Sequence, residues 1–244
     1  MKNLLAVLLL ASACGSSTPT TNEDGTMTQQ KSLDGHGHGE HHGEHHGQGE
    51  HKHVHSFDDP EKYAERWNSA ERAEWQKPDE VLAFMQISPG QSVADLGAGT
   101  GYFVPFLSAA VGPEGKVYPL DVEDAMLAWI TKNAADQGLT NVEPRKAPFD
   151  STGMEDGSLD RLLTVNTWHH IENRKDYAKR LFAVIKPGGR VVVVDFTKDA
   201  PEGPPPEMRL DASVVIEELQ AGGFDAALVE ETLPRQYIVV GTKK

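Results

Sequence analysis

The chain has 244 residues, of which 38% are hydrophobic and 25% are charged, and this length allows one domain with a substantial core plus additional segments. The formal net charge of −14 argues against a nucleic-acid partner, because neutralising phosphates requires clustered lysine and arginine, and the sequence has no such cluster. Cys14 is the only cysteine, which excludes an internal disulfide.

The first 14 residues have the layout of a secretory signal: Lys2, an apolar run over 4–10, and small residues before Cys14. The run is too short to span a bilayer. The stretch resembles a bacterial lipoprotein signal, in which the cysteine is lipidated and becomes the new N-terminus, although Ala11 stands where that pattern prefers leucine. It predicts an exported protein with a lipid anchor in a membrane of the cell envelope; a plain cleaved or retained leader is the alternative.

Residues 15–34 are polar and predict a disordered tether, and residues 35–55 continue it as a tract rich in histidine, glycine and glutamate. Neutral imidazole binds zinc, copper or nickel, so the tract is a candidate metal-binding segment. The alternative is a solvated, pH-sensitive spacer. The tract holds nine of the eleven histidines, and the candidate ligands are His36, His38, His41, His42, His45, His46, His51, His53 and His55.

The folded domain is predicted to span residues 56–244. Asp58 is expected to cap a first helix that has Pro60 in its first turn, and a further helix is expected over 79–87. Strands alternating with helices indicate an α/β fold: a Rossmann-like, doubly wound sheet of five parallel strands plus a C-terminal antiparallel hairpin, with helices on both faces. The predicted strands are 92–96, 116–120, 142–146, 159–165 and 189–197, with a turn at Gly188 and Gly189 before the last, and the predicted helices are 101–111, 124–137, 174–186 and 210–221.

Three glycines, Gly97, Gly99 and Gly101, connect the first predicted strand to the helix after it in VADLGAGTGYF. Glycine allows sharp turns and close approach of the backbone to a ligand, and ligands of open α/β sheets bind beyond the carboxyl ends of the strands. The loop lacks the Gly-Lys-Ser/Thr of a phosphate-binding loop. Tyr102 stands where a dinucleotide fingerprint would have its third glycine. A pyrophosphate ligand therefore fits this loop poorly.

Two acids end the first two strands, Asp95 before the glycines and Asp121 in KVYPLDVEDAML. A carboxylate at the position of Asp95 would repel a pyrophosphate and attract an ammonium group. The carboxylate of Asp121 is placed to accept hydrogen bonds from ribose hydroxyls. A ligand with a ribose, an amino group and no phosphate is S-adenosylmethionine. The structural alternative is that either acid only caps the segment after it.

Four stretches in order, VADLGAGTGYF, VYPLDVEDAML, NTWHHI and LFAVIKPGGRVVVVDF, resemble the motifs of class I S-adenosylmethionine-dependent methyltransferases over roughly residues 56–241. The resemblance implies that Asp95 orients the methionine end, that the glycines let the backbone approach it, and that Asp121 holds the ribose. It further implies that Val122 and Met126 pack near the adenine and that Asn166 lines the methyl-donor pocket. Many relatives have an aspartate for the adenine amino group where Lys146 or Ala147 stands here, so that contact is expected from the backbone instead.

Methyl transfer depends mainly on positioning and desolvation, and a base is needed only for an acceptor that must lose a proton. His169 and His170, after the fourth strand, are the candidate bases. The absence of cysteine after Cys14 argues against an arsenic acceptor held by thiolates, so a small-molecule or lipid-like acceptor is expected. The competing hypothesis is a metal-binding envelope lipoprotein whose methyltransferase-like domain is inactive or binds another ligand.

Overall fold

A seven-stranded sheet organises residues 59–244, the part of the chain that the computed structural model describes. The spatial order is β3-β2-β1-β4-β5-β7-β6, with β1 to β5 parallel and β7 antiparallel to both of its neighbours. This arrangement confirms the predicted Rossmann-like sheet with its C-terminal hairpin. The strands are β1 (Ser92–Leu96), β2 (Lys116–Asp121), β3 (Arg145–Lys146), β4 (Leu159–Val165), β5 (Ile185–Phe196), β6 (Asp225–Leu228) and β7 (Gln236–Thr242).

Within residues 59–244, seven α-helices surround the sheet, and the three that lie between parallel strands cross its faces, as parallel connections require. Buried side chains of α3 and α4 pack on one face of the central strands, and those of α6 and α7 pack on the other. The helices are α1 (Pro60–Trp67), α2 (Arg72–Gln76), α3 (Pro78–Met85), α4 (Val104–Val111), α5 (Asp124–Asp136), α6 (Arg174–Val184) and α7 (Ala212–Gly222). In residues 59–244, none of these helices is long and apolar enough to cross a membrane.

Two strands differ from their predicted bounds for identifiable reasons. The third strand, predicted over 142–146, is reduced to β3 and a single parallel bridge between Val117 and Val142. Pro144 lies between the two paired stretches and has no N–H to donate. The fifth strand begins earlier than predicted, because Ile185 already pairs with Leu159; Gly188, with φ of 75°, lies in the irregular stretch that follows inside the strand.

The first helix is capped one residue later than predicted. The side chain of Asp59 accepts a hydrogen bond from the Lys62 N–H at 3.3 Å, and Pro60 occupies the first turn as expected. Asp58 lies outside the described residues. The cap therefore moves from Asp58 to Asp59, and the prediction of a proline-led helix is confirmed.

The loop after β5 is organised by one buried arginine. Arg209 is 7% exposed, and its guanidinium donates to five backbone carbonyls of the segment 197–204. The distances range from 2.7 Å, to Ala200, to 3.4 Å, to Glu202. Because the donors of a guanidinium are fixed in one plane, this single side chain defines the path of a loop that contains no regular hydrogen-bonded strand. The loop therefore has a fixed place beside the carboxyl end of β5.

Candidate active site

The carboxyl ends of β1, β2, β4 and β5 meet at one edge of the sheet, since all four strands are parallel. After β1 the chain builds outward through β2 and β3, and it then returns to place β4 on the other side of β1. Such a reversal of strand order opens a crevice between the two diverging connections. The predicted cofactor loop and the predicted catalytic histidines both lie at this edge.

The glycine loop is held against β2 and against the segment after β4. The N–H groups of Gly97 and Ala98 both donate to the Leu120 carbonyl, at 2.8 and 3.1 Å. Gly97 has φ of 72°, and a Cβ at this position would lie 2.2 Å from Oγ1 of Thr167. At Gly97, the close approach predicted for a ligand is thus made by a side chain of the protein itself.

The other two glycines also contact side chains. A Cβ on Gly101 would lie 3.0 Å from Ile130 of α5, and a Cβ on Gly99 would lie 3.4 Å from the ring of Trp67 at the end of α1. Hydrogen bonds between Asn68 and Thr100 add to this contact: Thr100 Oγ1 donates to the amide oxygen at 2.7 Å, and the amide nitrogen donates to the Thr100 carbonyl at 3.3 Å. The segment after α1 therefore covers the glycine loop.

Asp121 ties β2 to the glycine loop. Its Oδ2 accepts a hydrogen bond from the Gly99 N–H at 2.8 Å, and its Oδ1 accepts one from the Glu123 N–H at 3.0 Å. Burial raises the pKa of this carboxyl, and the backbone N–H groups oppose that shift by stabilising the anion. A carboxylate has about four acceptor positions, so each oxygen retains one for a further donor. Asp121 is thus both a structural link and a candidate ligand group.

The buried carboxyl of Asp95 has a different environment from that of Asp121. It is 3% exposed, and in contrast to Asp121 its carboxylate accepts no hydrogen bond from the described residues. Burial raises its pKa from 3.8 to about 7, in spite of the attraction of Arg72, and the charge of Asp121 contributes to the increase. Near neutral pH the edge of the sheet thus carries a carboxyl group that is ready to ionise when a cation approaches.

The remaining predicted cofactor residues have distinct environments. Met126 is 1% exposed inside the first turns of α5, whereas Val122 is half-buried. Asn166 directly follows β4 with φ of 56°, and its Oδ1 accepts a hydrogen bond from Gln236 at 2.5 Å. Near the predicted adenine site, Lys146 pairs with Asp124 at 2.5 Å. The Ala147 N–H already donates to the Asp121 carbonyl, so it does not supply the expected backbone contact in this structure.

The structure separates the two candidate bases. His169 has a side chain that is 2% exposed, and its Nδ1 lies 2.8 and 3.0 Å from the two carboxylate oxygens of Asp195 at the end of β5. Because the carboxylate is an acceptor, Nδ1 donates, and the neutral form of this imidazole then has its lone pair on Nε2. His170 is exposed, with its ring centroid 4.2 Å from that of His169. His169 therefore has an orienting carboxylate in Asp195.

The segment that carries His169 is itself fixed. The Trp168 indole N–H donates to Glu218 of α7 at 2.9 Å, and the guanidinium of Arg174 donates to the same carboxylate at 2.9 and 3.0 Å. Trp168 is fully buried and makes an edge contact with the ring of Tyr177. These contacts hold the imidazole at the sheet edge.

Sequence reasoning missed Asp195 and Arg72. Asp195 ends a buried apolar strand in VVVVDF, the same pattern that identified Asp95 and Asp121, so the rule for strand-end acids predicts it. Arg72, on the five-residue helix α2, carries no comparable pattern. The predicted metal ligands, from His36 to His55, lie outside the described residues. Within residues 59–244, no group of three or more histidines, cysteines or acidic residues is arranged to hold a metal ion.

The sheet order and the position of the acids at its carboxyl edge are those of a Rossmann-like α/β domain. Residues 93–189 match the family described as methyltransferase domain. A methyltransferase of Aquifex aeolicus that depends on S-adenosylmethionine has a crystal structure that superimposes with a TM-score of 0.71 at 28% identity, covering 76% of this chain and 99% of that one. These matches support the prediction from the motifs, a class I S-adenosylmethionine-dependent methyltransferase domain.

Curated relatives match over shorter stretches. A ubiquinone/menaquinone biosynthesis C-methyltransferase of Cronobacter sakazakii is 32% identical over 113 residues, which is 46% of this chain and 45% of the relative. An arsenite methyltransferase of Halobacterium salinarum is 29% identical over 119 residues, covering 49% of this chain and 30% of the relative. The chain spans about half or less of the length of these relatives.

The raised pKa of Asp95 predicts a pH-dependent stability of the ligand-free protein. An unfolded aspartate has a pKa of about 4. The folded state therefore keeps a proton between pH 4 and 7 that the unfolded state releases, and the free energy of unfolding falls as the pH rises through this window. We expect Asp95→Asn to be more stable than the parent at pH 8, by roughly 2–4 kcal/mol, and to be similar to it at pH 4.5.

Urea unfolding at the two pH values measures this difference. Asp136→Asn, at an exposed acid of α5 that pairs with Lys132, is the matched control and should show no pH-dependent gain. An equal stability difference for Asp95→Asn at both pH values would contradict the assigned burial of an ionisable group.

The Asp195 contact predicts the tautomer of His169. We expect the neutral form of this imidazole to carry its proton on Nδ1, since the carboxylate accepts from that atom. Nitrogen-15 NMR of the ring nitrogens reports the tautomer, and the signals of His169 are identified by their loss in His169→Gln. In Asp195→Ala, the proton is expected to move largely to Nε2. A parent protein that already carries the proton on Nε2 would contradict the proposed orientation.

Proposed function

We propose that the domain transfers the methyl group of S-adenosylmethionine to a small-molecule acceptor. The observation that carries the proposal is the buried carboxyl of Asp95, which lies beside the glycine loop and accepts no hydrogen bond from the described residues. A buried anion needs a positive partner. The ammonium group of the methionine end supplies one. The match of residues 93–189 to a methyltransferase domain and the similarity to the Aquifex aeolicus structure support the same ligand.

The residues present fit this nucleoside. Asp121 keeps one acceptor position on each oxygen after its two backbone hydrogen bonds, as paired ribose hydroxyls require. The glycine loop lies between the two acids, so the methionine end would approach Asp95 while the ribose approaches Asp121. Val122, next in the chain, is half-buried and offers apolar surface for the adenine.

When bound, S-adenosylmethionine supplies a methyl group on a sulfonium centre, whose carbon–sulfur bond breaks with the electron pair remaining on sulfur. The protein then has to hold the acceptor in line with that bond and exclude water. For an acceptor that must lose a proton, Nε2 of His169 is the base, oriented by Asp195. The acceptor's nucleophilic atom forms the new bond to the methyl carbon, and its proton passes to that nitrogen.

The acceptor class is narrowed by what the chain lacks. No cysteine follows Cys14, so thiolate ligands that could hold arsenite are absent from the domain, in spite of the similarity to an arsenite methyltransferase. The similarity to ubiquinone/menaquinone biosynthesis C-methyltransferases supports an organic acceptor, small or lipid-like. A base held in a buried pair is consistent with an acceptor that is deprotonated during the reaction.

Calorimetry with S-adenosylhomocysteine tests the cofactor site without knowledge of the acceptor. The parent chain is expected to bind it, and Asp121→Ala to weaken binding by ~1–3 kcal/mol, because ribose hydroxyls would lose a buried acceptor. Asp136→Ala, which changes an exposed acid at the other end of α5, should bind as the parent does. Thermal unfolding of both variants verifies that they are folded.

Two results would contradict the proposal. The first is a parent chain that does not bind S-adenosylhomocysteine, which would exclude this cofactor. The second is an Asp121→Ala variant that binds with unchanged affinity, which would exclude the role of this acid in binding the ribose.

We further propose that the domain works at a membrane of the cell envelope, tethered through Cys14. The proposal rests on the signal-like layout of residues 1–14, which lie outside the described residues. In a bacterial host, the full chain is expected to incorporate labelled palmitate and to fractionate with membranes, whereas Cys14→Ser should do neither. A parent chain that is soluble and unlabelled would contradict the proposed lipid anchor, and this result would not affect the proposed cofactor site.

A further inference from the structure

Three buried amides connect α2 to the carboxyl end of β4, and we call them the amide relay. Gln76 Nε2 donates to Oε1 of Gln236 at 2.6 Å, and Gln236 Nε2 donates to Oδ1 of Asn166 at 2.5 Å. Gln76 and Gln236 are fully buried, and Asn166 is half-buried. A side-chain amide has an acceptor oxygen and a donor nitrogen, so the direction of the relay decides which atom Asn166 presents to a ligand.

Arg72 sets the direction at the α2 end of the amide relay. Its Nε and Nη2 donate to Oε1 of Gln76 at 3.3 and 3.0 Å. A guanidinium has donors and no acceptor. Burial lowers its pKa to about 10, so at neutral pH it still keeps all its protons. The atom of Gln76 that faces Arg72 is therefore the oxygen, and the nitrogen is left for Gln236.

The same pairing rule fixes the other end of the amide relay. The nitrogen of Gln76 requires an acceptor, so Gln236 gives its oxygen to Gln76 and its nitrogen to Asn166. Asn166 consequently turns its oxygen toward Gln236 and its Nδ2 away from β7. Within residues 59–244, this Nδ2 donates to no acceptor. The side chain at the end of β4 thus offers N–H groups to a ligand and offers no oxygen.

We propose that Asn166 selects the methyl acceptor by donating a hydrogen bond to an oxygen atom of it, so that the acceptor belongs to the enols or phenols. The inference rests on the proposed function and specifies the acceptor class. An amine whose N–H faced Asn166 would leave two donors opposed, which is costly in a desolvated site. His169 lies on the same segment after β4. When its Nε2 takes the acceptor's proton, negative charge remains on the acceptor's oxygen, and the Asn166 N–H stabilises it.

Gln76→Glu tests the direction of the amide relay without altering Asn166. In residues 59–244, Arg72 forms no ion pair with a carboxylate, and it would keep the new carboxylate ionised. A carboxylate only accepts, so Gln236 has to turn its nitrogen toward position 76 and its oxygen toward Asn166. Asn166 then donates to Gln236 and turns its own oxygen outward.

Nitrogen-15 NMR of the ligand-free protein measures this reversal. The hydrogen exchange of the Asn166 side-chain amide is expected to slow in Gln76→Glu, because one of its N–H groups gains an acceptor inside the protein. The signals of Asn166 are identified by their loss in Asn166→Asp. Gln91→Glu is the matched control. Gln91 accepts from the Ser88 N–H at 2.8 Å, at the amino end of β1, and the substitution should leave the exchange unchanged.

Two probes of the same size test the acceptor class. 4-Nitrophenolate presents an oxygen anion where 4-nitroaniline presents an amino group. Calorimetry at pH 8 on the full chain saturated with S-adenosylhomocysteine should show about 10- to 100-fold tighter binding of 4-nitrophenolate, the scale of a charged hydrogen bond. Gln76→Glu should lose this preference and bind 4-nitroaniline more tightly than the parent does. The gain for the amine distinguishes a reversed relay from simple repulsion of the anion, and Gln91→Glu should keep the preference of the parent.

The outcomes separate the amide relay from the proposed function. Equal binding of the two probes by the parent would overturn the acceptor class, and this result does not depend on a variant that folds. Unchanged amide exchange and unchanged preference in a folded Gln76→Glu would overturn the relay. Either result leaves S-adenosylhomocysteine binding intact. Failure of the parent to bind S-adenosylhomocysteine would instead overturn the proposed function, and the acceptor class with it.

Discussion

The burial of carboxylates where parallel strands end is the constraint on which this site depends. Asp95, Asp121 and Asp195 end β1, β2 and β5, and each is at most 8% exposed. Burying an anion is costly unless hydrogen bonds or opposite charges compensate it. Asp121 is compensated by backbone N–H groups, and Asp195 by His169 together with its neighbour's N–H. Among residues 59–244, Asp95 is attracted by Arg72 but its carboxylate accepts no hydrogen bond, so it is the acid at which a ligand's charge has most effect.

The same constraint divides the sheet edge into two halves with different chemistry. On the side of β1 and β2, Asp121 is compensated by backbone N–H groups and Asp95 accepts no hydrogen bond from the described residues, so carboxylate oxygens remain for a ligand, which suits binding. On the side of β4 and β5, the carboxylate is used to orient an imidazole, which suits proton transfer. The two halves are joined through Asn166, which the buried amides connect to Arg72 at one end of the crevice. Movement of α2 would therefore disturb both halves together.

Much of this arrangement follows from local sequence. Apolar runs that end in an acid, followed by glycine or by a helical pattern, predicted parallel strands, the glycine loop and the positions of Asp95 and Asp121. The same rule applies to Asp195, so this missed residue could have been predicted from the sequence. Arg72 could not have been predicted in this way, because its burial arises from the packing of α2 against residues far along the chain. Bounds were less predictable where a proline interrupts pairing, as Pro144 does, or where a strand continues through an irregular stretch, as β5 does.

The contact between Gly97 and Thr167 explains how donor and acceptor chemistry can share one edge. Thr167 packs against the glycine so closely that any other residue at position 97 would displace it. Thr167 precedes the short segment, Trp168–His170, that carries the imidazole. The glycine loop is thus in direct contact with the segment that carries His169. Because interiors packed this tightly transmit small displacements, a substitution at Gly97 that displaces Thr167 is expected to move the imidazole of His169 as well.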